Sequence, residues 1–178
     1  MTVNEAISKY RISLSANGML KVYFPDGKSD PEARAWLKAH KPEIVAELTR
    51  REDERKAAAQ LATERHQRFM SIPGVQKIMS AAEAENEYKR EYNLAWESGD
   101  GIYPARPFPA DHVDNLLLQY PDAAFAVKIY SEMSKSNMEL SSIATRVYNA
   151  LADGMPCADA KKMYNDLQAE FANRHIWD

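Results

Sequence analysis

The sequence predicts an α+β fold that is mostly α-helical: a small N-terminal module with a β-hairpin and helices, then a long helix and a C-terminal helical bundle. Two patterns predict it. Residues 12–24 alternate polar and apolar side chains around Asn17-Gly18, the dipeptide most typical of a tight hairpin turn. After about residue 41, apolar residues recur at spacings of three and four, which is the period of an amphipathic helix.

The N-terminal module is expected to cover residues 1–50. Thr2 or Asn4 can cap a first helix that ends near Lys9. The hairpin of residues 12–24 follows, and we expect its apolar side chains to be buried, among them Leu14, Leu20 and Val22.

Proline residues mark the beginnings of the next helices. Pro31 and Pro42 both fit the first helical position, where a missing N–H and a fixed φ favour helix initiation. Long helical segments are expected over residues 51–98, interrupted at Ser71-Ile72-Pro73-Gly74. The first of these is rich in charge and poor in large apolar residues, which favours a solvated connecting helix.

The C-terminal part divides into a loop and a bundle. Residues 99–110 contain three prolines, with Tyr103 directly before the first and Phe108 between the last two, which indicates an extended loop or a loop over the core. The sequence pattern of residues 111–178 predicts four helices. We expect them to begin near Asp111, near Pro121, near Ser136 or Asn137, and near Pro156.

The composition excludes several classes of protein. The 178 residues carry 23 basic and 26 acidic side chains, and a net charge of −3 is too weak for nucleic-acid binding by bulk charge. A single cysteine excludes an internal disulfide and fits a reducing compartment. The sequence contains no long apolar run and no secretory start, so we expect a cytoplasmic protein that does not contact membranes.

Candidate catalytic groups are few. The four histidines lie on separate segments without metal-ligand spacing, so neither a metal site nor a cofactor is expected. Cys157 in the first turn of a helix would have a lowered pKa, but no oxyanion loop frames it. Glu83, Glu87 and Glu91 share a helix face, and such a cluster is more often a solvated surface than an acid–base site. We therefore expect no catalytic residues.

Aromatic residues repeat every four positions at Tyr88, Tyr92 and Trp96. Packed in the core, they would dock this helix against the C-terminal bundle, and this is the favoured interpretation. On the surface, they would be anchors for a binding partner.

The N-terminal module resembles TubC-type docking domains. The helix of residues 4–9, the hairpin of residues 12–24 and the segment 31–48 follow the order of that family, and Lys41-Pro42-Glu43-Ile44-Val45-Ala46-Glu47-Leu48 is similar to its terminal motif. The resemblance implies a protein-docking module that is often dimeric and binds a partner segment along the hairpin. A homodimer through this module is therefore expected.

The remainder resembles small helical proteins of phages and mobile elements of Gram-positive bacteria. The matching segments are Ile72-Pro73-Gly74-Val75 and Tyr120-Pro121-Asp122-Ala123-Ala124-Phe125, with the helix and the proline-rich loop between them. Stand-alone accessory proteins of this kind are often inhibitors of host defence, including anti-CRISPR proteins.

Together these features lead us to expect a non-enzymatic protein that inhibits a host defence effector, such as a Cas9 nuclease, in the host cytoplasm. The expected partner-binding residues are Tyr103, Arg106, Phe108 and Trp177, because aromatic and arginine side chains dominate binding hot spots. Two alternatives stay open: a DNA- or RNA-binding accessory protein, and an enzyme that uses Cys157 or the glutamate cluster.

Overall fold

A computed structural model describes residues 1–15, 18–25, 31–99 and 101–174. The chain divides into two compact units, Met1–Ala62 and Thr63–Asp178. The structure is mostly helical, with a two-stranded antiparallel hairpin near the N-terminus, and this confirms the predicted fold class. The division of the sequence into segments 1–50, 51–98, 99–110 and 111–178 stays a prediction.

The first unit combines three helices with the hairpin. Its elements are α1 (Val3–Lys9), β1 (Ser13–Leu14), β2 (Leu20–Lys21), α2 (Pro31–Ala39) and the beginning of α3 (Lys41–Met70). Thr2 caps α1, since its hydroxyl accepts from the Glu5 N–H while the Glu5 carboxylate accepts from the Thr2 N–H. Residues 49–62 of α3 are exposed, as the charged sequence predicts.

The hairpin reverses where the sequence predicts. Ser13 pairs with Lys21 and Leu14 with Leu20, the Ser15 N–H donates to the Met19 carbonyl at 2.8 Å, and Gly18 has a φ of 74°. That left-handed value is one that glycine adopts without strain. Asn17, predicted to share this turn, lies outside the described residues.

The core of this unit contains residues from each of its helices and from the segment that leads into the hairpin: Ala6, Ile7, Tyr10, Ile12, Ala33, Leu37 and Ile44. The prediction that Leu14, Leu20 and Val22 are buried is wrong, because all three are only half-buried. The strands are only two residues long, and so small a hairpin cannot enclose its own side chains.

The second unit is a helical bundle. Besides the end of α3 it contains α4 (Val75–Ser98), α5 (His112–Gln119), α6 (Pro121–Glu132), α7 (Met138–Ala152) and α8 (Cys157–Arg174). The helix starts and the predicted break at residues 71–74 are confirmed within one or two residues. Helices α6 and α7 lie in the middle of the core, whose largest fully buried side chains are Phe69, Val75, Ile78, Ile129 and Val147.

One buried polar network connects α6 to α8. The Tyr164 hydroxyl donates to the Glu132 carboxylate at 2.5 Å and accepts from the Gln168 amide at 2.8 Å. Burial, together with the neighbouring Glu132, raises the pKa of Tyr164 to about 12. A carboxylate in this position is tolerated because it has a donor, and the pairing specifies how the two helices align.

The break between α3 and α4 depends on a glycine. Gly74 has a φ of 93°, and a Cβ built on it would lie only 2.4 Å from Cγ of Tyr120. The tyrosine ring therefore packs directly on the backbone of the turn, and only glycine permits this approach. Gly154 has a similar φ of 97°, but a Cβ there would meet nothing within 4 Å.

These two glycines form a matched pair for a stability measurement. Gly154→Ala should lower the free energy of unfolding by about 1 kcal/mol, the cost of a left-handed alanine. Gly74→Ala should cost about 1–3 kcal/mol more, because Tyr120 must also be displaced. Urea titrations followed by circular dichroism measure both, and equal losses would contradict the role of the Tyr120 contact.

Candidate functional site

Helix α4 extends past the bundle core. Its buried residues, Val75, Ile78 and Ala81, all lie in its first two turns. With 24 residues it is about 36 Å long, whereas α6, with 12 residues, is about 18 Å long. Helix α6 is therefore too short to cover the whole of α4, and the groove that the two helices share reaches Arg90 of α4.

Four aromatic side chains gather on this second half, and we call them the aromatic surface: Tyr88, Tyr92, Trp96 and Tyr103. The Tyr88 and Tyr92 rings are 6.0 Å apart, and Tyr103 from the proline-rich loop stacks on Tyr92 at 5.0 Å. Trp96, one turn further along the same face, is 68% exposed.

The favoured prediction that these aromatic residues belong to the core is wrong. Tyr88 is half-buried, while Tyr92 and Trp96 are exposed. Their spacing of four correctly indicates one helix face, but spacing does not reveal whether another element reaches that face.

An ion pair attaches the proline-rich loop to α4. Arg106 donates through two nitrogens to the Glu85 carboxylate, at 2.6 and 3.2 Å, and its guanidinium lies 5.7 Å from the Tyr88 ring centroid. The Glu85 side chain is only 12% exposed, and the bond to Arg106 lowers the pKa of its carboxyl. This pairing and the Tyr92–Tyr103 stack hold the loop in place.

The predicted binding residues are distributed as follows. Tyr103 and Arg106 both lie at the aromatic surface. Phe108 is half-buried, and its ring stacks on His112 of α5 at 4.4 Å. Trp177 lies outside the described residues.

A concave pocket of about 660 Å³ lies elsewhere in the bundle. Three helix junctions line it: the α3–α4 break, the α5–α6 turn and the α7–α8 turn. They contribute Ile72 and Pro73, Tyr120 and Pro121, and residues 151–155 with Cys157, respectively. The two segments behind the phage-protein resemblance thus meet at one pocket, which no local sequence pattern predicts. Their shared signal is a proline at a helix boundary.

Cys157 lies half-buried in the wall of this pocket. Its Sγ donates to the Asp122 carbonyl at 3.7 Å, and burial, followed by the effect of Asp122, raises the pKa of the thiol to about 11. The expected lowering by the helix start is therefore wrong, because desolvation outweighs it. A thiol that is protonated at neutral pH is poorly suited to nucleophilic attack.

Within the described residues, no three His, Cys, Asp or Glu side chains are placed to hold a metal ion. In the same part of the chain, no helix is both long and apolar enough to cross a bilayer. Two glutamates of α4 form ion pairs with basic side chains. Glu87 pairs with Arg90, and Glu85 pairs with both Lys89 and Arg106.

No family model matches the chain, and no curated protein and no solved structure is significantly similar to it. The resemblances to TubC-type docking domains and to anti-CRISPR proteins stay predictions.

The raised thiol pKa predicts slow alkylation of Cys157. At pH 8 iodoacetamide should react about 10- to 100-fold more slowly with the folded protein than with the protein in urea, where the thiol regains its ordinary pKa. The rate should keep rising with pH up to about 11. Mass spectrometry of quenched time points measures both rates, and equal rates would contradict the buried environment.

Acid should detach the proline-rich loop. The pKa of Glu85 lies below its ordinary value, so the attachment is complete above about pH 4.5 and is lost as the pH falls through the lowered pKa. Ring resonances of Tyr103 in NMR spectra should shift over that range. Glu85→Gln should show the detached spectrum already at pH 7, and a spectrum identical to the parent's would contradict the assignment.

Proposed function

We propose that this protein is a non-enzymatic binding protein that docks on another protein through its aromatic surface. One observation carries the proposal: Trp96, on a helix that extends past its own core, is 68% exposed, and Tyr103, in the loop attached to that helix, is 44% exposed. Contiguous exposed aromatic side chains are a feature of interaction sites, and tryptophan and tyrosine are enriched in binding hot spots.

The loop attachment favours tight binding. Ordering a flexible segment on association costs free energy, which lowers affinity. Here Arg106 already connects the loop to Glu85, and Tyr103 already stacks on Tyr92. A partner would meet a surface that is largely formed before contact.

The charges around the aromatic surface favour a basic partner protein over nucleic acid. From Glu83 to the end of α4, acidic residues outnumber basic ones. The acids are Glu83, Glu85, Glu87, Glu91 and Glu97, and the bases are Lys89 and Arg90, with Arg106 of the proline-rich loop as a third base. All three bases pair with glutamates. Phosphate binding needs a continuous basic surface, whereas an acidic rim complements the basic surface of a nucleic-acid-handling protein.

The partner that we propose is a host defence effector, such as a CRISPR nuclease, bound in the host cytoplasm. The sequence resemblance to phage and mobile-element proteins supports this choice, and so does the acidic rim, because nucleases carry basic grooves for their nucleic acid. The resemblance of the N-terminal module to docking domains supports a homodimer, which light scattering of the full chain tests.

Binding should depend on the aromatic surface. With a panel of purified Cas nucleases, Trp96→Ala and Tyr103→Ala should each weaken binding by about 1–3 kcal/mol, roughly 5- to 150-fold in Kd. Leu94→Ala is the matched control: Leu94 is 59% exposed on the same helix, but two residues from Tyr92 and Trp96 and hence on a different face. Calorimetric titration measures the affinities.

The results of these titrations test the binding surface and the partner separately. Equal effects of Trp96→Ala and Leu94→Ala would contradict the role of the aromatic surface. Binding to none of the nucleases would contradict the proposed partner. Binding to DNA or RNA that weakens steeply with salt would favour the nucleic-acid alternative, because phosphate contacts release counterions.

A further inference from the structure

We infer that the pocket between the three helix junctions binds a small, neutral and largely apolar molecule. Its volume of about 660 Å³ falls within the range of small-molecule sites, about 300–1,000 Å³. None of its lining residues belongs to the aromatic surface. The pocket is therefore a second site, independent of the proposed docking function.

The lining is suited to apolar contact. Ile72, Pro73, Leu151 and Met155 contribute aliphatic surface, and Ala126, which is fully buried, forms part of the floor. Small floor residues leave room for a ring or a short chain. Gln119 contributes a side-chain amide to the lining that can fix one polar group of a ligand.

The charged residues that line the pocket, Arg68, Asp122 and Asp153, are already paired within the protein; Arg68 pairs with Glu64 at 3.5 Å and with Asp153 at 3.9 Å. Asp122 accepts from Lys161 at 2.9 Å, and Asp153 accepts from Arg65 through both oxygens, at 2.5 and 3.0 Å. These pairings lower the pKa of both carboxyls. A charged ligand would have to compete with them, whereas a neutral ligand leaves them intact.

The walls of the pocket are fixed before any ligand arrives. The two ion pairs connect different elements, α6 to α8 and α3 to the α7–α8 turn. Tyr120 packs against the backbone of Gly74, and Pro73 and Pro121 restrict the neighbouring backbone. A preformed apolar pocket can bind a ligand without the free-energy cost of ordering its own residues.

The neutral fluorescent probe N-phenyl-1-naphthylamine tests this inference on the full chain. We expect one saturable binding transition with enhanced fluorescence. Cys157→Phe, which places a ring in the pocket, should weaken probe binding by about tenfold or more, because no second ring fits the same volume. Trp96→Ala is the matched control and should bind the probe like the parent protein.

Cys157 gives a second measurement that needs no substitution. It is the single cysteine of the chain, so alkylation reports on the pocket without background. Saturating probe should slow its reaction with iodoacetamide at pH 9 by about fivefold or more, since a bound ligand covers the thiol. Non-saturable binding, unchanged alkylation, or loss of binding in Trp96→Ala would each overturn the inference, even where Cys157→Phe fails to fold.

Discussion

The packing of Tyr120 on Gly74 is the contact on which the arrangement of the second unit depends. It fixes the turn that ends α3 and begins α4, and it holds the start of α6 against that turn. Because the Gly74 side of this contact is backbone, only Tyr120 can move to relieve a clash there. Tyr120 also lines the pocket, so this close approach forms part of its wall.

The length of α4 has a different consequence. Its first two turns complete the bundle core, and its remaining turns carry residues that the core does not use. The proline-rich loop covers part of that face through Arg106 and Tyr103, and the exposed aromatic side chains stay beside it. A tryptophan that is 68% exposed adds little to folding by burial, and we propose that a partner protein contacts its exposed surface.

Local patterns in the sequence were sufficient to predict the helices and the hairpin. Pro31 and Pro121 mark helix starts, Asn137 caps α7 by accepting from two backbone N–H groups, and Ala160 and Tyr164 face the core at a spacing of four. The pocket was not predictable in this way, because residues 72 and 121 are brought together only by packing. The exposure of the aromatic surface was not predictable for the same reason. Whether a neighbouring helix covers Trp96 depends on the relative lengths of the two helices, which hydrophobic periodicity does not encode.

The two candidate sites differ in how closely they are connected to the packed core. The pocket lies among core helices, so changes that enlarge or fill it also change the packing of Leu151 or Ala126. The aromatic surface lies beyond the buried residues of α4, where Trp96 contributes little to the free energy of unfolding. Variation at the aromatic surface can therefore alter the docking contacts that we propose with little loss of stability, whereas variation at the pocket is constrained by the core.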